Sequence, residues 1–257
     1  SFPGGMMAVL LGRPLVVHEQ NSIAGLANRI LAKVATRVVC GFPDALPKSV
    51  WLGNPVRPEI AAIPEPAERF GERMADESLP LHLLVLGGSL GAAAINEMVP
   101  KGLGLLPEEE RPQVVHQAGA KHLEKLQENY VAAGVRANCV AFIEDMAGAY
   151  EWADLVLCRA GALTVAELAA AGVTSILVPF PHAVDDHQTS NARFLSSVGG
   201  AILLPQNEMT PESVSLIRNY TRGQLLQMAE LARALAKPQA AQDVARICEE
   251  LCKERDQ

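Results

Sequence analysis

Residues 81–92 read LHLLVLGGSLGA: a largely apolar run that stops at Gly87 and Gly88 and passes almost at once into an alanine-rich stretch of helical length. A strand without polar alternation suits the interior of a parallel sheet covered by helices on both faces. The same kind of run recurs as PLVVHE (14–19), ATRVVCG (35–41), QVVHQAG (113–119), ADLVLCR (153–159), TSILVPF (174–180) and AILLP (201–205). Helices are predicted over 22–34, 91–99, 121–133, 146–152, 163–171, 188–198, 211–218, 222–236 and 240–254. Strand and helix in alternation predict an α/β fold built on parallel sheet. Between Arg57 and Leu81 the sequence RPEIAAIPEPAERFGERMADESLP turns rich in proline and charge and reads as a linker. The expected division is therefore residues 1–57, then 58–239, with the last helix (240–257) packing back on the first part.

Composition narrows the function classes. Hydrophobic residues make up 49% and charged residues 20% of 257, enough to bury a sizeable core and too apolar for a disordered chain. A formal net charge of −7 without a basic stripe argues against nucleic acid as a partner, since that binding needs clustered Lys and Arg. Cys40, Cys139, Cys158, Cys248 and Cys252 form no CxxC pair, which fits a reducing cytoplasm. No apolar stretch approaches the roughly 20 residues of a membrane-spanning helix. The opening SFPGGMMAVLLGRP lacks the features of a secretion signal and reads as the middle of a domain.

Four stretches carry candidate chemistry. In the opening stretch, Gly87, Gly88, Ser89 and Gly91 join a strand to a helix, and glycines there let the backbone approach an anion at the positive helix end. A tight turn with Ser89 as cap is the competing reading. DLVLCRAGALTVAELAAAG (154–172) repeats the arrangement around Gly161, now with Glu167 early in the helix. A carboxylate there suits the vicinal hydroxyls of a ribose, but Thr164 and Glu167 also match a capping box that serves only its own helix. PFPHAVDDHQTSNARFL (179–195) gathers His182, Asp185, Asp186, His187, Gln188 and Asn191, polar groups suited to sugar hydroxyls. Its spacing fits no metal site, and an acidic helix start near Asp185 is the plain alternative. VVHEQNSIAGLANR (16–29) sets His18, Glu19, Gln20 and Asn21 directly after a strand, where an Asn21 or Ser22 cap would explain one residue of the four. A nicotinamide-dependent oxidoreductase would need a GxGxxG and an acid after the second strand, and neither is found.

Taken together, HEQNSIAGLANR (18–29), GNPVR (53–57), LVLGGSLGA (84–92), HQAG (116–119), FIEDMAGAY (142–150), CRAGALTVAE (158–167) and PFPHAVDDHQTSNA (179–192) resemble, in order, the MurG family of bacterial sugar transferases. The resemblance implies the GT-B fold of two facing Rossmann-like halves. It implies transfer of N-acetylglucosamine from UDP-GlcNAc to the 4-hydroxyl of undecaprenyl-pyrophosphoryl-N-acetylmuramoyl-pentapeptide, with inversion and with no cofactor or metal. Carried onto this sequence, it assigns Asn21 to the donor sugar, Arg57 and Ser89 to the diphosphate side, and the Ile143 backbone to uracil. Ala162, Leu163, Thr164, Val165, Ala166 and Glu167 are assigned to phosphate and ribose, and Gln188 to the sugar hydroxyls. The loop before Gln188 differs in length from the family pattern, so His187 is the alternative there.

The family's amino-terminal glycine-rich loop, which ends in a histidine, has no counterpart in this sequence. Residues 1–57 with the last helix are therefore expected to be the remainder of an acceptor-side domain, and 58–239 the donor-binding domain. His18 is the one stand-in for the catalytic base. The implied location is cytoplasmic, peripheral on the inner face of the bacterial plasma membrane, with the membrane-contacting surface mostly on the missing part. Two alternatives remain at this level: a chain that binds UDP-GlcNAc without turnover, and a related transferase with another acceptor.

Overall fold

The computed structural model describes residues 2–74, 76, 79–88, 92–181 and 186–255. After helix α1 (Phe2–Leu10), strand β1 (Val16–Glu19) leads through α2 (Leu26–Leu31) to β2 (Arg37–Cys40) and β3 (Val50–Trp51). These three strands form one parallel sheet in that order, with Val16 opposite Arg37 and Val39 opposite Val50.

Helices α3 (Pro58–Ala61) and α4 (Pro66–Met74) precede the second sheet. Its elements are β4 (His82–Leu86), α5 (Ala93–Gly104), β5 (Gln113–Gln117), α6 (Leu123–Ala132), β6 (Asn138–Val140), α7 (Met146–Trp152), β7 (Leu155–Cys158), α8 (Ala162–Ala171), β8 (Thr174–Leu177), α9 (His187–Ser196) and β9 (Ala201–Leu203). The chain ends in α10 (Pro211–Ser215), α11 (Arg222–Arg233) and α12 (Ala240–Arg255). Strand order is β6-β5-β4-β7-β8-β9, parallel throughout. From β4 the chain winds outward to β6, then returns to the other edge of β4 as β7. The order reverses between those two strands, which run side by side from Leu83 opposite Leu155 to Leu86 opposite Cys158.

The strands read as continuous apolar runs because both faces are covered. Leu84, Leu86, Val156 and Cys158 point into a core shared with Tyr150, Val165 and Leu168. Their neighbours Leu83, Val85, Leu155 and Leu157 point into the opposite core with Ile95, Val99, Leu126 and Leu225. Each such side chain contributes about 1.5–3 kcal/mol by leaving water, so the central strands are the most strongly fixed part of the fold.

Several expectations are corrected. The proline-rich stretch after Arg57 holds α3 and α4 and sends Ile60, Ile63 and Phe70 into the cores. Its composition misleads because Pro58 and Pro66 occupy helix starts, where a missing N–H costs nothing. Arg69 is buried there and donates to the carbonyls of Tyr150, Ala171 and Gly172, and burial lowers its pKa to about 10. Arg73 lies 2.8 Å from the fully buried Asp154, which also faces Arg222 at 3.4 Å. The helix predicted over 22–34 shrinks to α2, because Glu19 accepts from the Asn21 and Gly25 amides and keeps that stretch a loop. Strand β6 and helix α1 had no prediction, the first being short and the second containing Pro3, Gly4 and Gly5.

Inside the second core, His116 is fully buried between the Tyr130 hydroxyl (2.9 Å) and the Asn96 amide oxygen (3.1 Å). Burial pushes its pKa down to about 3, below the ordinary value of 6.5. The unfolded chain therefore takes up a proton that the native chain refuses, so stability is full above about pH 6.5 and falls as the pH drops towards 3. Urea unfolding at pH 7 and pH 5 is expected to differ by about 2 kcal/mol from this residue. His116→Gln should remove that part of the pH slope, and an unchanged slope would contradict the assignment.

Candidate functional site

In a parallel sheet, ligands collect at the carboxyl ends of the strands, beside the point where strand order reverses. Here that point lies between β4 and β7, and both glycine turns issue from it. After β4, the Gly87 amide donates to the Gln117 carbonyl at 2.9 Å. Gly88 has φ +75° and exchanges two bonds with the Gln117 side chain: its amide donates to Oε1 (3.0 Å) and its carbonyl accepts from Nε2 (3.2 Å). A Cβ on Gly87 would lie 2.8 Å from the Gln117 carbonyl oxygen and 3.2 Å from the Ala92 nitrogen, so no larger residue fits. Ser89 and Gly91 lie outside the described residues. Helix α5 follows, with Ala92 at its N-cap and no side-chain cap.

After β7, Gly161 is the N-cap of α8 and supplies no side-chain cap. Among the described residues the amides of Ala162, Leu163 and Thr164 have no acceptor; Val165 is the first whose N–H is taken, by the Gly161 carbonyl at 2.9 Å. A ten-residue helix thus starts with open N–H groups and a positive end on the strand next to the Gly87 turn. The capping-box reading of Thr164 and Glu167 is overturned, because the helix begins at Ala162 and places Glu167 in its second turn. The Glu167 carboxylate leaves its own helix. Oε1 lies 3.3 Å from Arg57 Nη2, and Oε2 accepts from the Tyr150 hydroxyl at 3.1 Å.

The loop after β1 reaches the same place. Asn191, fully buried on α9, accepts from the Ser22 amide (2.9 Å) and hydroxyl (2.8 Å). Its own amide group donates to the Ala160 carbonyl (3.2 Å) and lies 3.4 Å from the Asn21 side-chain oxygen. Asn54 donates to the Gln20 carbonyl at 2.9 Å and reaches towards the Ala162 carbonyl at 3.5 Å. The carboxyl ends of the two sheets therefore face one another, joined by asparagines.

Asn21, Arg57, Gly161 to Glu167 and the Gly87–Gly88 turn are thus gathered at one edge. Ile143 follows β6 there, beside Ala141, whose carbonyl accepts from Gln117 Nε2 at 3.1 Å. Gln188, in the first turn of α9, accepts from the Phe180 amide at 2.9 Å; His187 next to it has a buried Nδ1 with no partner among the described residues. The N-cap of that helix is Asp186, at φ 54°, an acidic start next to Asp185, which lies outside the described residues together with His182. His18 Nε2 is 3.1 Å from the Gly53 carbonyl, a contact that needs the N–H, so this nitrogen serves the 53–57 segment. Gln117, Asn54 and Tyr150 had no assigned role from the sequence, and Asn191, grouped there with the polar residues suited to sugar hydroxyls, is instead fully buried and spent on Ser22 and Ala160. All four stand inside quoted motifs, but what each one meets is set by the packing of strands and helices.

Residues 82–247 match the glycosyltransferase family 28 C-terminal domain, and residues 1–40 match the family's N-terminal domain. The chain belongs to glycosyltransferase family 28. Within the family it is 68% identical, over 98% of its length and 71% of the relative's, to a protein of Dechloromonas aromatica. That relative is named UDP-N-acetylglucosamine--N-acetylmuramyl-(pentapeptide) pyrophosphoryl-undecaprenol N-acetylglucosamine transferase. A protein of the same name from Cupriavidus metallidurans is 62% identical over 98% of this chain and 70% of its own. The crystal structure of Acinetobacter baumannii MurG superposes with a TM-score of 0.85 at 40% identity, covering 96% of this chain and 70% of that one. The family 28 chain thus has the GT-B fold of paired parallel-sheet halves.

The Gly87 turn is held by Gln117, and the two should lose stability together. Gly87→Ala and Gln117→Leu are each expected to cost about 1–3 kcal/mol in urea unfolding. The double variant should lose less than the sum. Strictly additive losses would mean that Gln117 does not hold this turn.

Proposed function

We propose that the chain is an inverting transferase that moves N-acetylglucosamine from UDP-GlcNAc to the 4-hydroxyl of undecaprenyl-pyrophosphoryl-N-acetylmuramoyl-pentapeptide. The observation that carries the reading is the pair of glycine turns on adjacent strands, Leu86 beside Cys158, each followed by a helix whose N-cap residue, Ala92 or Gly161, supplies no side-chain cap. A helix end carries about half a positive charge, and two of them aimed at one place favour a diphosphate that is dianionic in the donor and gains a further charge as it departs. Arg57, with a side chain 44% exposed, is near enough to Glu167 to add a third positive group. Such potential favours the departing diphosphate most when charge has built up on it, which is the condition for lowering the barrier.

In this reading the amides of Ala162, Leu163 and Thr164 hold phosphate, with Val165 and Ala166 continuing the turn to Glu167. Glu167 accepts from ribose hydroxyls, and the Ile143 backbone meets the uracil. Asn21 and Gln188 meet the sugar, with His187 the alternative to Gln188. Residues 58–239 serve as the donor half, and residues 1–57 with α12 as the acceptor side. Lys237 lies 4.0 Å above the Trp51 ring, and Ala240 is next to Gly53, which brings the start of α12 to the first sheet. Among the described residues no helix is long and apolar enough to cross a membrane. We take the protein to work at the inner face of the plasma membrane, where its lipid-linked acceptor lies.

The test is UDP release from UDP-GlcNAc in the presence of the lipid-linked muramoyl-pentapeptide, set beside calorimetric titration of UDP. Both binding and acceptor-dependent release are expected. Glu167→Gln should weaken the donor about ten-fold or more, the loss of a charge-assisted hydrogen bond. UDP binding without release would leave a donor-binding module, and no UDP binding would defeat the reading altogether.

A further inference from the structure

Behind Glu167 stands a residue that touches neither sugar nor phosphate in the scheme above. Tyr150 on α7 is fully buried, and its hydroxyl donates to Glu167 Oε2 at 3.1 Å. Burial and the neighbouring carboxylate raise its pKa well above 10, so it keeps its proton. The ring is held from the backbone side as well. Arg69 donates to the Tyr150 carbonyl at 3.1 Å and to the Ala171 carbonyl at 3.2 Å, tying α7 to the carboxyl end of the helix that bears Glu167.

The two partners of the carboxylate differ in kind. Arg57 is 44% exposed and meets Oε1 at 3.3 Å, an ion pair that water and salt screen and that another anion can replace. The phenol cannot leave. A glutamate side chain has three free torsions, and fixing one of its oxygens removes most of the freedom that recognition would otherwise have to remove.

We propose that Tyr150 is a positioning residue for donor recognition: it pins Oε2 of Glu167 so that Oε1, released when Arg57 turns to the diphosphate, meets the ribose hydroxyls in one geometry. The inference rests on the assignment of Glu167 to ribose made above. It predicts that the phenol oxygen matters most for a donor that has both of those hydroxyls.

The experiment compares wild type and Tyr150→Phe in steady-state transfer, using UDP-GlcNAc and its 2′-deoxy- and 3′-deoxyuridine analogues. For UDP-GlcNAc, KM should rise about ten-fold with kcat within about three-fold, while KM for the deoxy donors, each with one ribose hydroxyl left, rises clearly less. Equal KM rises for all donors, or no rise, would overturn the proposal. A wild type that fails to distinguish the donors would remove the ribose assignment itself, an outcome separable from a Tyr150→Phe enzyme that discriminates as well as wild type. Should Tyr150→Phe fail to fold, fluorotyrosine labelling of the three tyrosines gives a second readout. The fluorine signal of residue 150 should move further on adding UDP-GlcNAc than with the deoxy analogues, and equal movement for all donors, or none, would overturn the proposal.

Discussion

Two helix N-termini pointing into one space repel each other unless something negative lies between them. Strand order forces that arrangement here: β4 and β7 are neighbours and parallel, so the turns after Leu86 and Cys158 must leave from the same end of the sheet, although their helices cover opposite faces. The apolar residues that alternate into the two cores, Leu83 to Leu86 and Leu155 to Cys158, fix this pairing long before any ligand is present. The positive potential is therefore a consequence of packing, held by hydrophobic burial worth far more than the repulsion. Such a preorganised field needs no rearrangement when charge develops on a leaving group.

Side chains that never need to touch a ligand maintain the geometry. Gln117 closes the Gly88 turn from the neighbouring strand, at 3.0 and 3.2 Å. Asn191 and Asn54 join the loop after β1 to the turn after β7, which sets the spacing between the two sheets. Glu19, nearly fully buried, accepts from Asn21, Gly25 and Asn28 and holds the shape of that loop. Amides suit this work because one group donates and accepts at once, so a single buried side chain satisfies backbone on both sides.

The parallel sheet was legible in the sequence because strands buried on both faces leave unbroken apolar runs, as in LHLLVL and ADLVLC. Positions where a motif meets a strand end were legible too: Gly87, Gly161, Glu167 and Arg57 lie at one edge. What sequence could not supply was the partner of each group. Thr164 and Glu167 have capping-box spacing, but helix start and capping depend on where the strand ends, and Gly161 takes the cap. Tyr150 reads as one more core aromatic, and only the approach of α7 to α8 gives its hydroxyl an acceptor. Helices α3 and α4 were hidden because a proline at a helix start and one in a linker look alike until Ile60 and Phe70 are seen buried.

The measurement that bears most directly on this account is a crystal structure of the chain with UDP bound. The account predicts diphosphate oxygens within roughly 2.7–3.2 Å of the Leu163 and Thr164 amides. It also predicts that Glu167 holds the ribose with Tyr150 still in place and Arg57 turned away. A diphosphate bound away from the β4–β7 edge, with the Arg57–Glu167 pair intact, would contradict it.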